Sequence, residues 1–80
     1  MHRVPVESSV LAWILYLPEL RVLEVEFRSG RVHQYFEVPE PNYNGLLAAK
    51  SKGKYFNLNI RNRFSSKQKD DSLTAGRVAV

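Results

Sequence analysis

The sequence predicts an α+β domain, a three-stranded antiparallel β-meander followed by two short helices packed on one of its faces. Three observations predict it. Leu23, Val25 and Phe27 alternate with Glu24 and Glu26, the period-two pattern of a half-buried strand. Ser29-Gly30 then joins that run to "VHQYFEV", a second run rich in β-branched and aromatic residues. Beyond Pro39 the apolar spacing changes to threes and fours, at Tyr43, Leu46 and Leu47. The chain has 80 residues, 44% of them hydrophobic, and no cysteine, so apolar packing must hold one small domain without disulfides or thiolate-bound metal.

Taken in order, Ser8-Ser9 precedes a first strand from Val10 to Tyr16. Leu17-Pro18-Glu19 ends it, because Pro18 has no N–H to give to a sheet ladder. The second strand is "LRVLEVEF". With Ser29-Gly30 as a two-residue hairpin loop, Arg28 faces Arg31, Phe27 faces Val32, Glu26 faces His33, Val25 faces Gln34 and Glu24 faces Tyr35. That register gathers Leu23, Val25, Phe27, Val32, Phe36 and Val38 on a core face. It leaves Glu24, Glu26, His33, Tyr35 and Glu37 on the other face. "PEPNYNGLLAAKS" reads as the first helix, with proline in its opening turn and Gly45 costing about 1 kcal/mol relative to alanine. In "SKGKYFNLNIRNRF" both periods are present. Phe56, Ile60 and Phe64 recur every four residues, Ser51 is a good N-cap and the three asparagines suit a strand poorly, so a helix from Lys52 to Arg61 is expected. Residues 1–64 are thus read as the domain and 65–80 as a loose polar tail.

Charge is segregated along the chain. Residues 1–49 hold six glutamates against four arginines, whereas residues 50–69 hold seven basic residues and no acid. A net charge of +4 therefore comes from one segment, the form that an electrostatic footprint for a polyanion takes. Lys50, Lys52 and Lys54 surround a predicted helix start, Arg61 and Arg63 follow, and Lys67 and Lys69 lie in the tail. The competing reading is a solvated helix face running into a basic tail.

The order Ser8-Ser9, Leu23-x-Val25-x-Phe27-x-x-Gly30, Val38-Pro39, Ala49-x-Ser51-x-Gly53, Tyr55-Phe56-Asn57 and Ile60-Arg61 resembles the KTSC domain. This small module is named for the C-terminal extension of some lysyl-tRNA synthetases. The resemblance spans about Val6 to Phe64. His33-Gln34-Tyr35 stands where the family shows Tyr-x-Tyr, a departure at position 33. Members of the family are free-standing bacterial or phage proteins or synthetase appendages. The family has no established activity, and its attachment to a synthetase implies RNA.

The expected function is a non-catalytic module that binds nucleic acid, RNA over DNA, with little sequence specificity, through Lys50, Lys52, Lys54, Arg61 and Arg63. His33, Tyr35 and Tyr55 are candidate stacking residues, with core or sheet packing as the competing role. Ser8, Ser9 and Ser51 have no identified base, and the two histidines form no ligand cluster, so neither catalysis, cofactor nor metal is expected. The alternative reading is a protein–protein interaction module, an accessory or inhibitor protein of phage or bacterial origin, because a meander leaves a strand edge open. The apolar run from Val10 to Leu17 is too short to span a bilayer, so a cytoplasmic monomer or weak dimer with no membrane partner is expected.

Overall fold

The computed structural model describes residues 3–69. A short β1 (Val4–Pro5) is followed by β2 (Leu11–Leu17), β3 (Val22–Phe27), β4 (Val32–Tyr35), α1 (Glu40–Ala48), α2 (Lys52–Phe56), a wider π-helical turn over Asn57–Arg61, and β5 (Ser66–Lys69). The strands form one antiparallel sheet in the order β1-β2-β3-β4-β5, a five-stranded meander where the sequence predicts three strands. The two additional strands lie on the edges. β5 occupies residues expected to be a loose tail; Tyr35 pairs with Ser66 and Val32 with Lys69. The rest of that expected tail, from residue 70, lies outside the described residues.

The β3–β4 hairpin differs by one residue from the predicted register. The Phe27 N–H donates to the Arg31 carbonyl at 2.8 Å and the Gly30 N–H to the Phe27 carbonyl at 2.8 Å, enclosing a three-residue loop, Arg28 to Gly30. Gly30 takes a φ of 97°, the left-handed conformation that this loop needs in its last position. The pairs become Leu23 with Tyr35, Val25 with His33, Glu24 with Gln34 and Glu26 with Val32. Because side chains alternate, a slip of one turns all of β4 over. Tyr35 and His33 therefore face the core with Leu23 and Val25, while Val32 joins Glu24 and Glu26 on the opposite face.

Two local irregularities keep the core face apolar. The β2–β3 register shifts between Leu11 and Trp13, so Ala12 is an extra residue; Leu11, Ile14 and Tyr16 all reach the core despite uneven spacing. Glu37 adopts a φ of 58°, which resets the alternation so that Val38 follows Tyr35 inward. The Val38 N–H donates to the Arg21 carbonyl at 2.8 Å, and Arg21 is itself left-handed at 55°. The Val38 carbonyl accepts the Tyr16 hydroxyl at 2.6 Å. Both polar groups of this buried residue are thereby satisfied at the entrance to α1.

Phe56 seals the centre from the helical layer. Its ring stands edge-on to Phe27 (5.6 Å between centroids) and to Tyr35 (5.2 Å). Burying it fully contributes roughly 1.5–3 kcal/mol. Ile60 is fully buried one turn later and Phe64 packs at the margin, as the four-residue spacing predicts. The helix begins at Lys52 as expected, with the Ser51 hydroxyl accepting the Lys54 N–H. It widens at Asn57, where asparagine amides supply donors to backbone carbonyls. Asn59 donates to the carbonyl of Tyr55 at 3.2 Å and Asn62 to that of Asn57 at 2.9 Å.

Candidate nucleic-acid interface

The segment Glu7 to Val10 crosses from β1 to β2 beside α2, and its course is fixed by a few contacts. The Ser8 hydroxyl accepts the N–H groups of Val10 (3.0 Å) and Leu11 (3.2 Å), opening β2. Gly53 lies against it: a Cβ there would come within 3.2 Å of the Ser8 hydroxyl and 3.1 Å of a Val10 methyl. From the other side the Arg28 guanidinium donates to the carbonyls of Ser8 (2.9 Å) and Val6 (3.0 Å), strapping the β3–β4 hairpin to this segment.

Two open grooves meet at Ser9-Val10. The first, about 540 Å³, runs between Glu7-Ser8 and the start of α2, where Lys50, Lys52 and Lys54 line it together with Asn57 and Leu58. The second, about 530 Å³, lies between Ser9-Val10 and the hairpin, with Arg28, Arg31 and Arg61 around Phe27 and His33. Asn57 links them, since its side-chain oxygen accepts from the Arg61 guanidinium at 3.4 Å. Among the described residues Glu7 is the one acid lining either groove.

The structure therefore divides the basic segment. Lys50 and Lys54 project from one groove wall, exposed. Lys52 shares that groove, but its ammonium donates to the Ala49 carbonyl at 2.9 Å, a cation at the C-terminal end of α1. Arg61 lines the second groove and Arg63 lines neither. On β5, Lys67 stands opposite Gln34 and Lys69 lies 3.5 Å from Glu24, so both sit on the far face of the sheet. Glu24 is buried there, accepting from Gln34 at 3.0 Å, rather than solvated as the alternating glutamates predict. Glu26 on the same face accepts the indole N–H of Trp13.

Of the aromatic candidates, only His33 reaches a groove. Tyr35 is 2% exposed and packs on Phe56, so it offers no face to a base; this is the consequence of the hairpin register. Burial raises its hydroxyl pKa, with Arg61 and the Ser66 hydroxyl opposing. Tyr55 is half-buried, its ring pressed on Gly45, where any side chain would collide with it. His33 stands edge-on to Phe27 at 5.2 Å. Burial first, then the positive charges of Arg61 and Arg31, lower its pKa from the usual 6.5. Arg28 and Arg31 are functional candidates that the sequence does not single out. They flank a tight turn, where charge is commonplace, and no spacing ties them to Arg61.

The Ser8 hydroxyl accepts two backbone N–H groups and the Ser51 hydroxyl one. Among the described residues no three His, Cys, Asp or Glu side chains form a metal-binding group, and no helix is long and apolar enough to cross a membrane.

A sequence model of the KTSC domain matches residues 7–64. An uncharacterised protein from Stutzerimonas stutzeri is 46% identical over 57 residues, which cover 71% of this chain and 80% of that protein. A lysine–tRNA ligase from Nostoc punctiforme is 39% identical over 62 residues, 78% of this chain but 11% of the ligase. The crystal structure of a KTSC domain protein from Yersinia pestis superimposes with a TM-score of 0.82 at 37% identity, covering 85% of this chain and 96% of that one.

Proposed function

The chain belongs to the KTSC domain family, and on that basis we propose that it is a small binding module for nucleic acid, gripping the phosphate backbone along the two grooves that meet at Ser9-Val10. Lys50 and Lys54 serve the first groove, Arg31 and Arg61 the second. Lys52 adds charge while remaining bonded to Ala49. Arg63, expected from the sequence to take part, is peripheral because it lines neither groove.

The observation that carries this reading is the junction itself. Basic side chains from the α1–α2 connection and the start of α2 line one groove, those from the hairpin and the π-helical turn line the other, and the two grooves share Ser9 and Val10, with Glu7 as their one lining acid among the described residues. Such a surface attracts a polyanion and releases its counterions. Preference for RNA rests on the lysine–tRNA ligases that carry a similar segment, since they are named for a tRNA. Contacts of this kind position a backbone and carry little sequence information.

The test is a titration with short RNA and DNA strands at several salt concentrations. With about four phosphates neutralised on a single strand, log K should fall against log salt with a slope of about −3. Reversing Lys50 and Lys54 to glutamate should abolish binding at moderate salt. Absence of binding at low salt, or binding indifferent to that reversal, sinks the proposal.

A further inference from the structure

The two grooves differ in a way that backbone binding does not require. The first is lined by flexible ammonium groups over Ser8, Gly53 and Leu58, with Glu7 opposite. The second has three guanidinium groups, no acid among the described residues, and a floor of Val10, Phe27 and His33. The Arg61 guanidinium sits over the Phe27 ring, 5.7 Å from its centre, so a base entering here lies beside it or displaces it as Arg61 turns to the phosphate.

Resting on the nucleic-acid reading above, we infer that the arginine groove is a single-nucleotide subsite, taking one unpaired nucleotide with its base against Phe27 and His33 and its phosphate on Arg31 and Arg61. A planar guanidinium fork holds a phosphate with two parallel hydrogen bonds, which an ammonium does not. Arg28 is engaged twice by the carbonyls of Ser8 and Val6, whereas Arg61 makes one long contact, 3.4 Å to Asn57, so Arg31 and Arg61 are the forks. Ser9 and Ser29 on the rim supply hydroxyls that can donate to or accept from base edges. A base still paired in a duplex has no open face to lay on this floor, so the groove selects single strands or unpaired loops.

The experiment follows resonances of Val10, Phe27 and His33 by NMR while the chain is titrated with a 5′-mononucleotide, the matching nucleoside, inorganic phosphate, a short single strand and its duplex. The mononucleotide should move all three residues further than the nucleoside or phosphate does. The single strand should bind about tenfold more tightly than the duplex at equal salt. Arg31→Gln, an exposed change, should weaken the mononucleotide at least fivefold; Phe27→Leu should weaken it while sparing phosphate; Lys67→Gln on the far face should leave it unchanged. Three results overturn the inference: duplex bound as tightly as single strand, phosphate reproducing the mononucleotide's shifts, or no shift at millimolar mononucleotide. If strands bind in a Lys50- and Lys54-dependent way while any of these results holds, the subsite is wrong and the backbone reading stands.

Discussion

The backbone of Gly53 runs against the Ser8 hydroxyl so closely that a Cβ at position 53 would sit 3.2 Å from it, and 3.1 Å from the neighbouring Val10 methyl. This approach joins α2 to the segment that separates the two grooves, and it links two residues 45 positions apart. Gly53→Val is therefore expected to destabilise the domain by about 1–3 kcal/mol through overpacking. Gly53→Ala adds one methyl that meets those atoms, while helix propensity favours alanine by about 1 kcal/mol, so its net change should be small. Chemical denaturation of both variants checks the pair. A valine that costs no more than alanine would mean that the Ser8–Val10 segment is free to move away.

Tyr55 imposes the same demand on Gly45. Its ring and hydroxyl occupy the space where a side chain at 45 would begin, so glycine stands mid-helix in α1 despite its poor propensity. Gly45→Ala should destabilise by about 1–3 kcal/mol, against the direction that helix propensity predicts. Tyr55→Leu should lessen that penalty when the two changes are combined. A double-mutant cycle measures the coupling, and additive effects would show that the two residues do not press on each other.

The fold was legible in the sequence to the extent that local patterns were unambiguous. The strand at Val22–Phe27, the turn at Pro18 and the helix start at Lys52 stand as expected, although Glu24 on the outer face of β3 is buried by its neighbours. The hairpin register was not legible, because a glycine at positive φ serves both a two-residue turn and the last position of a three-residue loop. The flanking strand offered little arbitration: "VHQYFEV" has apolar or amphipathic residues on both phases, and Glu37 breaks the alternation by a backbone rotation that side chains do not advertise. β5 is four exposed polar residues, "SKQK", without any strand pattern; it is ordered by the free edge of β4. The same limit applied to the site. Lys50, Lys54 and Arg61 stood out as a basic run, but Arg31 joins them only because the three-residue loop and the Arg28 strap bring the hairpin beside Ser9.

Tyr16 tests the entrance to α1. Its hydroxyl donates to the Val38 carbonyl inside the core at 2.6 Å, while its ring stacks on Tyr43 at 4.8 Å. Tyr16→Phe keeps the ring and leaves a buried carbonyl with no donor in place of the hydroxyl. It should cost about 1–3 kcal/mol. Tyr43→Leu removes only the stacked partner and should cost less. Thermal or urea unfolding of the two variants separates the hydrogen bond from the stacking. A Tyr16→Phe variant as stable as the parent would show that water replaces the hydroxyl.

His33 should make both stability and binding depend on pH, in opposite directions. It lies beside Phe27 and Tyr35, across from Val25 on β3 and Gln68 on β5, with Arg31 and Arg61 as the charges that bear on it. Burial and those two arginines hold its pKa below the ordinary 6.5. The folded chain thus binds fewer protons than the unfolded chain, and stability rises with pH through this range. The effect is fully present above about pH 6.5 and declines as pH falls toward the depressed folded value. Arg61→Gln removes one opposing charge, so the His33 titration followed by NMR should move upward and the acid loss of stability should shrink. A polyanion seated on Arg31 and Arg61 brings negative charge to the imidazole and should raise its pKa. Binding then takes up a proton, and affinity should increase as pH is lowered from about 7 toward 6, across the ordinary histidine range. A His33 titration unmoved by saturating single-stranded RNA would place the bound phosphates elsewhere.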